Sequence, residues 1–166
     1  RLFEVLHSFG YLAGMIKEYH DIHLSQRLLD RLEKRWNSWE QPLLILSFVL
    51  HPMYQMEQFN HELKSLTWVN IGEYILYYYV AWFHQQPNSI LRELELFHQK
   101  KSPFNITTSR QFGNNVIGYW NYCASCTKEL GQVALQIHGI CVNAASVERL
   151  WSSMGFIHSN RRNKLQ

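Results

Sequence analysis

The sequence lacks the features of a membrane-spanning or secreted protein. Its longest apolar stretch, residues 42–50, is far shorter than the roughly 20 residues that a transmembrane helix needs. Cysteine is scarce, and its odd number, three, argues against a disulfide framework and favours a reducing compartment. The first residues show no basic region followed by an apolar run and a cleavage site, so no signal peptide is expected.

Charge and composition set wide limits on function. The net charge is only +3 and the pI is near 8.8, a balance that permits contact with nucleic acid without requiring it. Hydrophobic residues make up 46% of the chain and aromatic residues 14%, which is enough to build a buried core. The chain begins without Met and inside a helical pattern, so we expect it to be part of a longer protein.

Helical periodicity dominates the first part of the chain and predicts a mainly α fold. Apolar residues recur at helical spacing from Leu24 to Trp36, with Ser25 as the expected N-cap. Further helices are predicted over residues 42–50, 60–83 (one or two helices) and 89–100. Residues 77–80, Tyr-Tyr-Tyr-Val, would suit a strand by propensity, but their neighbours keep helical spacing and we predict a helix.

A polar tract at residues 104–115 is predicted to be a loop or hinge. Asn, Thr, Ser and Gly are concentrated there, directly after Pro103. We therefore divide the chain into a helical segment at residues 1–103 and a C-terminal segment at residues 116–166. Within the second segment, helices are expected around residues 116–120, 130–137 and 143–154.

Glu148 is the first candidate for chemistry. It lies early in the last predicted helix, among small and apolar neighbours: Ala144, Ala145, Val147, Leu150 and Trp151. A carboxylate in such surroundings is either paired or binds a metal ion, because burying a lone charge is costly. The alternative is a solvated glutamate near a helix N-terminus, where the helix dipole stabilises it, and spacing alone favours this alternative.

Residues 143–165, NAASVERLWSSMGFIHSNRRNKL, carry the most specific pattern in the chain. The string resembles the C-terminal signature of hAT-type DNA transposases, in which small residues precede Ser, Glu and Arg, then an aromatic residue and Ser, a glycine, and an Arg-rich stretch ending in Leu. The matching positions are Ser146, Glu148, Arg149, Trp151, Ser152, Gly155, Arg161, Arg162, Asn163 and Leu165. Two stretches upstream, which end in Leu-His-Pro-Met-Tyr at residues 50–54 and contain Gly-Tyr-Trp at residues 118–120, resemble the family more weakly.

The resemblance implies a ribonuclease H-like α/β catalytic domain with a large helical insertion. This chain would then hold the tail of the insertion followed by the terminal helices of the catalytic domain. In the family, two Asp and one Glu hold two divalent metal ions for DNA strand cleavage and transfer, and Glu148 matches that glutamate. Oxygen ligands suit Mg²⁺ or Mn²⁺, which we expect only in the full-length parent. The two Asp would lie upstream, so we predict that this chain alone is inactive.

The resemblance also implies partners, because the same region of the family self-associates. We expect a homo-oligomer, in which the side chains assigned to core or dimer packing are Trp120, Leu150, Trp151 and Phe156. The side chains expected to contact DNA phosphates are Arg149, Arg161, Arg162 and Lys164. The alternative for the basic cluster at residues 161–164 is a solvated, flexible terminus. A nuclear location is implied, with neither a membrane nor a small-molecule substrate.

Metal-ligand spacing occurs once outside the signature, at Cys123, Cys126, His138 and Cys141. Zinc accepts such Cys and His pairs. However, Cys123 and Cys126 also fit the buried face of a helix, and free Cys is commonly a small buried hydrophobe. We favour the buried interpretation and expect no zinc. The remaining histidines are interpreted as structural or surface residues.

Two functions of different classes are compatible with this resemblance. The chain is either part of an hAT cut-and-paste transposase or part of a domesticated, transposase-derived protein that acts only as a dimerisation or interaction module. Glu148 favours the first, because a purely structural descendant would be free to lose it. Two Asp at the ends of predicted strands upstream of Arg1 would support the enzyme, and their absence would support the interaction module.

Overall fold

The protein is mainly helical in the part of the chain that the computed structural model describes, residues 1–39, 41–54 and 66–140. These ranges contain eight α-helices and no strand: α1 (Leu2–Lys17), α2 (Ile22–Asn37), α3 (Gln41–Val49), α4 (Trp68–Phe83), α5 (Ile90–His98), α6 (Ile106–Phe112), α7 (Val116–Cys123) and α8 (Lys128–Gly139). The predicted mainly α class is therefore confirmed. In the same ranges, no helix has the length and apolar character needed to cross a membrane.

Helix α2 begins earlier than the sequence predicted. Asp21 is its N-cap, and the Asp21 carboxylate accepts a hydrogen bond from the backbone amide of Leu24 at 3.0 Å. The expected cap, Ser25, lies inside the helix, where it is buried and its hydroxyl donates to the carbonyl of Ile16 at 2.7 Å. The prediction that Ser25 is the N-cap was therefore wrong. Asp and Ser are both common capping residues, so the sequence alone does not distinguish Asp21 from Ser25. The Ser25 side chain instead connects α2 to α1.

Helix α3 is the apolar centre of the first half of the chain. It packs against α1, α4 and α8, and Leu46, Val49 and the following Leu50 are buried. The helix ends at Val49, two residues before His51, because the residue before a proline, here Pro52, disfavours helical backbone. The helix predicted over residues 42–50 is thus confirmed.

The aromatic tract is helical, as predicted, and the alternative of a strand at residues 77–80 is wrong. Thr67 and Asn70 form a capping box at the start of α4. Tyr78 and Tyr79 are buried in the core on one side of the helix, while Tyr77 is exposed on the other. The start of the predicted segment, residues 60–65, lies outside the described residues.

Helices α5 and α8 cap each other through two carboxylates. Glu129 of α8 accepts the backbone amides of Asn88 and Ser89, at 2.9 and 2.7 Å, at the start of α5. Glu93 of α5, which is buried, accepts the amide of Leu130 at 2.7 Å at the start of α8. Burial raises the pKa of Glu129, but hydrogen bonds from the backbone and hydroxyl groups at the start of α5 lower it by more, so the net shift is to a pKa below the usual value for glutamate. The helix predicted over residues 89–100 is confirmed as α5.

The segment at residues 104–115 is not a loop throughout, because it contains the short helix α6. Asn105 caps this helix by accepting a hydrogen bond from the amide of Thr108 at 2.9 Å. The helix ends at Phe112 and is followed by its C-cap, Gly113, whose φ of 51° suits glycine. Phe104 at the start of the segment is buried in the core. The loop prediction failed for residues 106–112 because the polar residues that indicated a loop serve here as a cap and as the outer face of a helix.

Residues on both sides of this segment share one hydrophobic core. Ile71 and Ile75 of α4 pack in the same cluster as Trp120 of α7 and Ile137 of α8. Helix α8 lies against α3, α4, α5 and α7. The two helices predicted around residues 116–120 and 130–137 are confirmed as α7 and α8.

Candidate functional site: the end of α8

The residues that carry the signature lie outside the described part of the chain. They include Glu148, the basic residues Arg149, Arg161, Arg162 and Lys164, and the packing candidates Leu150, Trp151 and Phe156. Cys141 of the Cys and His pattern also lies outside the described residues. The described element nearest to the signature in sequence is α8, which ends at Gly139 and is followed by Ile140. The site is therefore described from the contacts that hold the end of α8.

A single carbonyl oxygen, that of Leu50, joins three helices at this point. It accepts a hydrogen bond from the indole Nε1 of Trp120 at 2.9 Å, and Nε2 of His138 lies 3.3 Å from the same atom. Leu50 follows α3, Trp120 belongs to α7 and His138 to the last turn of α8. All three residues are buried. We call this group (Leu50, Trp120 and His138) the Leu50 junction.

The Leu50 junction brings together the two upstream stretches that were singled out in the sequence. Residues 50–54 and residues 118–120 are far apart in sequence, and the hydrogen bond from Trp120 to Leu50 spans 70 positions. His138 then connects both stretches to the helix that precedes the signature. The sequence singled out each stretch but not their contact, because no local pattern reports a pairing over such a distance.

A second histidine, His51, extends the junction towards α1. Its ring lies 4.2 Å from the ring of Tyr54, 4.5 Å from that of Phe3 and 6.3 Å from that of His138, measured between centroids. Nδ1 of His51 accepts the backbone amide of Met53 at 3.2 Å. From the sequence, only a default structural or surface role was expected for this histidine. It is a buried residue that links the start of α1 to the ends of α3 and α8.

Both histidines are neutral at pH 7. Burial, and to a smaller extent the charge of Arg1, lower the pKa of His51 to about 4. Burial also lowers the pKa of His138 to about 4, although the hydrogen bond to the carbonyl of Leu50 opposes this shift. A neutral His138 that donates from Nε2 leaves Nδ1 as an acceptor, and in the described ranges no donor reaches this buried atom.

The Cys and His pattern is only partly assembled in the described residues. Cys123 is buried, as expected, but Cys126 is exposed, so the prediction that both occupy a buried helix face was wrong for Cys126. Helix α7 ends at Cys123, so Cys126 lies in the connection between α7 and α8. Burial raises the pKa of Cys123 to about 11, so its sulfur stays protonated at pH 7. Within residues 1–39, 41–54 and 66–140, no three His, Cys, Asp or Glu side chains are grouped to hold a metal ion.

Trp120 belongs to the core. Its side chain is 0% exposed, and its ring lies 5.5 Å from that of Phe97 and 5.7 Å from that of Phe104. Of the two roles expected for Trp120, core packing is the one that this burial supports. Leu150, Trp151 and Phe156 stay predictions as packing or dimer residues.

Comparison with known proteins identifies no relative of this chain. No protein-family model matches the chain. Searches of curated proteins and of solved structures also give no match.

Proposed function

We propose that this chain is the C-terminal region of an hAT-type cut-and-paste DNA transposase. The observation that carries the proposal is the string at residues 143–165, in which Glu148, Gly155 and the Arg-rich stretch occupy family positions at fixed offsets. The mainly helical architecture of the described residues agrees with an insertion tail. The ribonuclease H-like catalytic domain, the nuclear location and the binding of DNA belong to the proposal.

Glu148 would supply the third acid of the catalytic centre. Mg²⁺ or Mn²⁺, when bound, would activate water or a DNA 3′-hydroxyl and stabilise the leaving oxygen. The glutamate carboxylate would contribute oxygen ligands, which these hard cations prefer. Two Asp from upstream strands would complete the set. A single carboxylate cannot hold two such ions, so the isolated chain is expected to be inactive.

The Leu50 junction would act as a positioning element for this acid. Gly139 ends α8 nine residues before Glu148 (148 − 139), and His138 is fixed to Leu50 directly before that end. Helix α8 is also held against α3, α4, α5 and α7, so its last turn is anchored in the core. Trp120 and His138 would therefore influence Glu148 through the end of α8, without touching substrate.

An excision assay with the full-length transposase tests the proposal. Glu148→Ala is compared with Glu73→Ala, which removes an exposed carboxylate from α4. We expect Glu148→Ala to reduce excision by at least about 100-fold, because it removes a direct metal ligand, and Glu73→Ala to leave excision unchanged. Undiminished excision by Glu148→Ala would overturn the assignment of Glu148. Metal-dependent nicking by the isolated chain, abolished by Glu148→Ala, would instead overturn the prediction that the chain alone is inactive.

Light scattering over a range of protein concentrations tests the self-association. A homo-oligomer is expected, and a strict monomer at all concentrations would contradict it. If the full-length protein forms the oligomer but shows no excision with or without Glu148, the interaction module becomes the better description of the function.

A further inference from the structure

Helix α2 presents a basic face that lies outside the signature. Arg27, Arg31, Lys34 and Arg35 are all exposed, and at about 100° per residue they fall within about 100° of the helix circumference. In the described part of the chain, no carboxylate forms an ion pair with any of the four. The spacing i, i+4, i+7 and i+8 is the signal that reveals this face in the sequence.

The acidic residues of α2 lie beside this face. Asp30 falls outside the arc of the four cations, and its carboxylate accepts a hydrogen bond from the amide of Gln26 at 3.0 Å. Glu33 lies farther round the helix, at about twice the angular distance of Asp30 from Arg27. The basic face is therefore a local positive surface in a chain whose net charge is only +3.

The opposite side of α2 is already occupied. Helix α2 packs against α1, where the ring of Trp36 lies 5.6 Å from that of Phe9 and the hydroxyl of Ser25 donates to Ile16. A helix that binds a membrane surface needs a free apolar side, and α2 uses its apolar side internally. Ile22, at the first position, is the one large apolar side chain of α2 that is exposed, so the basic face also lacks the apolar anchors of a protein interface.

We propose that α2 binds the phosphate backbone of DNA through Arg27, Arg31, Lys34 and Arg35. The helix rises about 12 Å from Arg27 to Arg35 at about 1.5 Å per residue. About 12 Å of duplex carries about seven phosphate charges, so a polyanion of this density can contact all four cations together. One guanidinium group can donate two parallel hydrogen bonds to the oxygens of one phosphate, and three of the four residues are Arg.

Contacts of this kind orient DNA without selecting a sequence. The face would therefore hold flanking DNA in register rather than choose the target. The inference rests on the proposed function in one respect, since that function makes DNA the polyanion. Its residues are separate from Glu148 and from the basic cluster of the signature.

The test measures DNA affinity as a function of salt. Fluorescence anisotropy follows the full chain binding a labelled duplex of roughly 20 base pairs between about 50 and 200 mM salt. The test variant carries R27Q, R31Q, K34Q and R35Q. A control with the same change in net charge carries R92Q, K101Q, R110Q and K128Q, at four exposed cations elsewhere.

Each phosphate contact contributes about 0.9 to the slope of log affinity against log salt, so the α2 variant should lose about 3.6 of that slope. Over this salt range, the wild type should weaken about 150-fold more than the α2 variant. The control should change the slope by less than about 1. The pairs R27Q/R31Q and K34Q/R35Q should each account for about half of the loss, with unchanged far-UV circular dichroism.

Several results would overturn the inference. One is an α2 variant that keeps the wild-type slope, and another is a control that loses as much slope as the α2 variant. Failure of the wild type to bind the duplex has the same consequence, as does α2-dependent binding that prefers RNA or phosphatidylserine vesicles to the duplex. The two proposals can be refuted independently. Undiminished excision by Glu148→Ala would refute the proposed function, whereas an unchanged salt slope of the α2 variant would refute DNA binding by α2.

Discussion

Trp120→Phe is the sharpest probe of the Leu50 junction. The substitution keeps an aromatic ring in the core but removes the Nε1–H that donates to the carbonyl of Leu50 at 2.9 Å. That carbonyl would then keep only the 3.3 Å contact with His138. An under-satisfied buried acceptor costs about 1–3 kcal/mol, and the smaller ring also leaves space beside Phe97 and Phe104.

We therefore expect Trp120→Phe to lower the free energy of unfolding by about 2–4 kcal/mol. Urea unfolding followed by far-UV circular dichroism at pH 7 measures it, and the Tm should fall by about 2–4 °C for each kcal/mol. Trp82→Phe is the matched control, because Trp82 is only partly buried and packs its ring against Tyr78 at 5.0 Å. Its expected loss is below about 1 kcal/mol.

A double-mutant cycle with His138→Gln makes the test specific to the junction. Trp120 and His138 share one acceptor, so their effects should be non-additive by at least about 0.5 kcal/mol. The explanation is refuted if Trp120→Phe costs no more than Trp82→Phe. Strict additivity with His138→Gln would show that the shared carbonyl does not couple the two residues.

Two further predictions concern pH and close packing. The pKa values of His51 and His138 are about 4 in the folded protein and near 6.5 when unfolded, so the unfolded state binds protons first as the pH falls. Stability should therefore decrease from about pH 6.5 towards about pH 4, by at most about 2.7 kcal/mol per pH unit, and His138→Gln should roughly halve the slope of unfolding free energy against pH. A slope unchanged by that substitution would contradict the assignment. Gly131→Ala should cost about 1–3 kcal/mol in urea unfolding, because its Cβ would lie 2.6 Å from that of Ala124, whereas Gly14→Ala meets nothing within 4 Å and should stabilise by about 0.5–1 kcal/mol. Equal effects at the two glycines would exclude this steric explanation.

Local periodicity was sufficient to find most of the described helices. Helices α3, α4, α5, α7 and α8 each place apolar side chains on a buried face, and that spacing is visible without tertiary information. Helix α6 was missed because its seven residues are too few to display a period and its cap, Asn105, also indicates a loop. The start of α2 was misplaced because Asp21 and Ser25 are equally good capping residues.

The contacts around the candidate site could not be predicted in this way. The carbonyl of Leu50 is joined to side chains 70 and 88 positions away, and no pattern within a short window contains such pairs. His51 was assigned a default role for the same reason, and His138 was considered only as part of the Cys and His pattern. Trp120 was expected in the core or in a dimer, and only its neighbours in space distinguish the two. Glu148 and the other signature residues lie outside the described ranges, so their roles stay predictions.

The mutual capping of α5 and α8 has a consequence for local unfolding. A helix normally frays from its ends, and each end opens independently of other helices. Here the start of α5 is closed by Glu129 and the start of α8 by Glu93, and each carboxylate sits on the helix that the other one closes. Unwinding the first turn of either helix displaces the carboxylate that closes its partner. The amides of Ser89 and Leu130 should therefore exchange their hydrogens in the same opening event, as one cooperative unit, although the sequence between them contains two other helices.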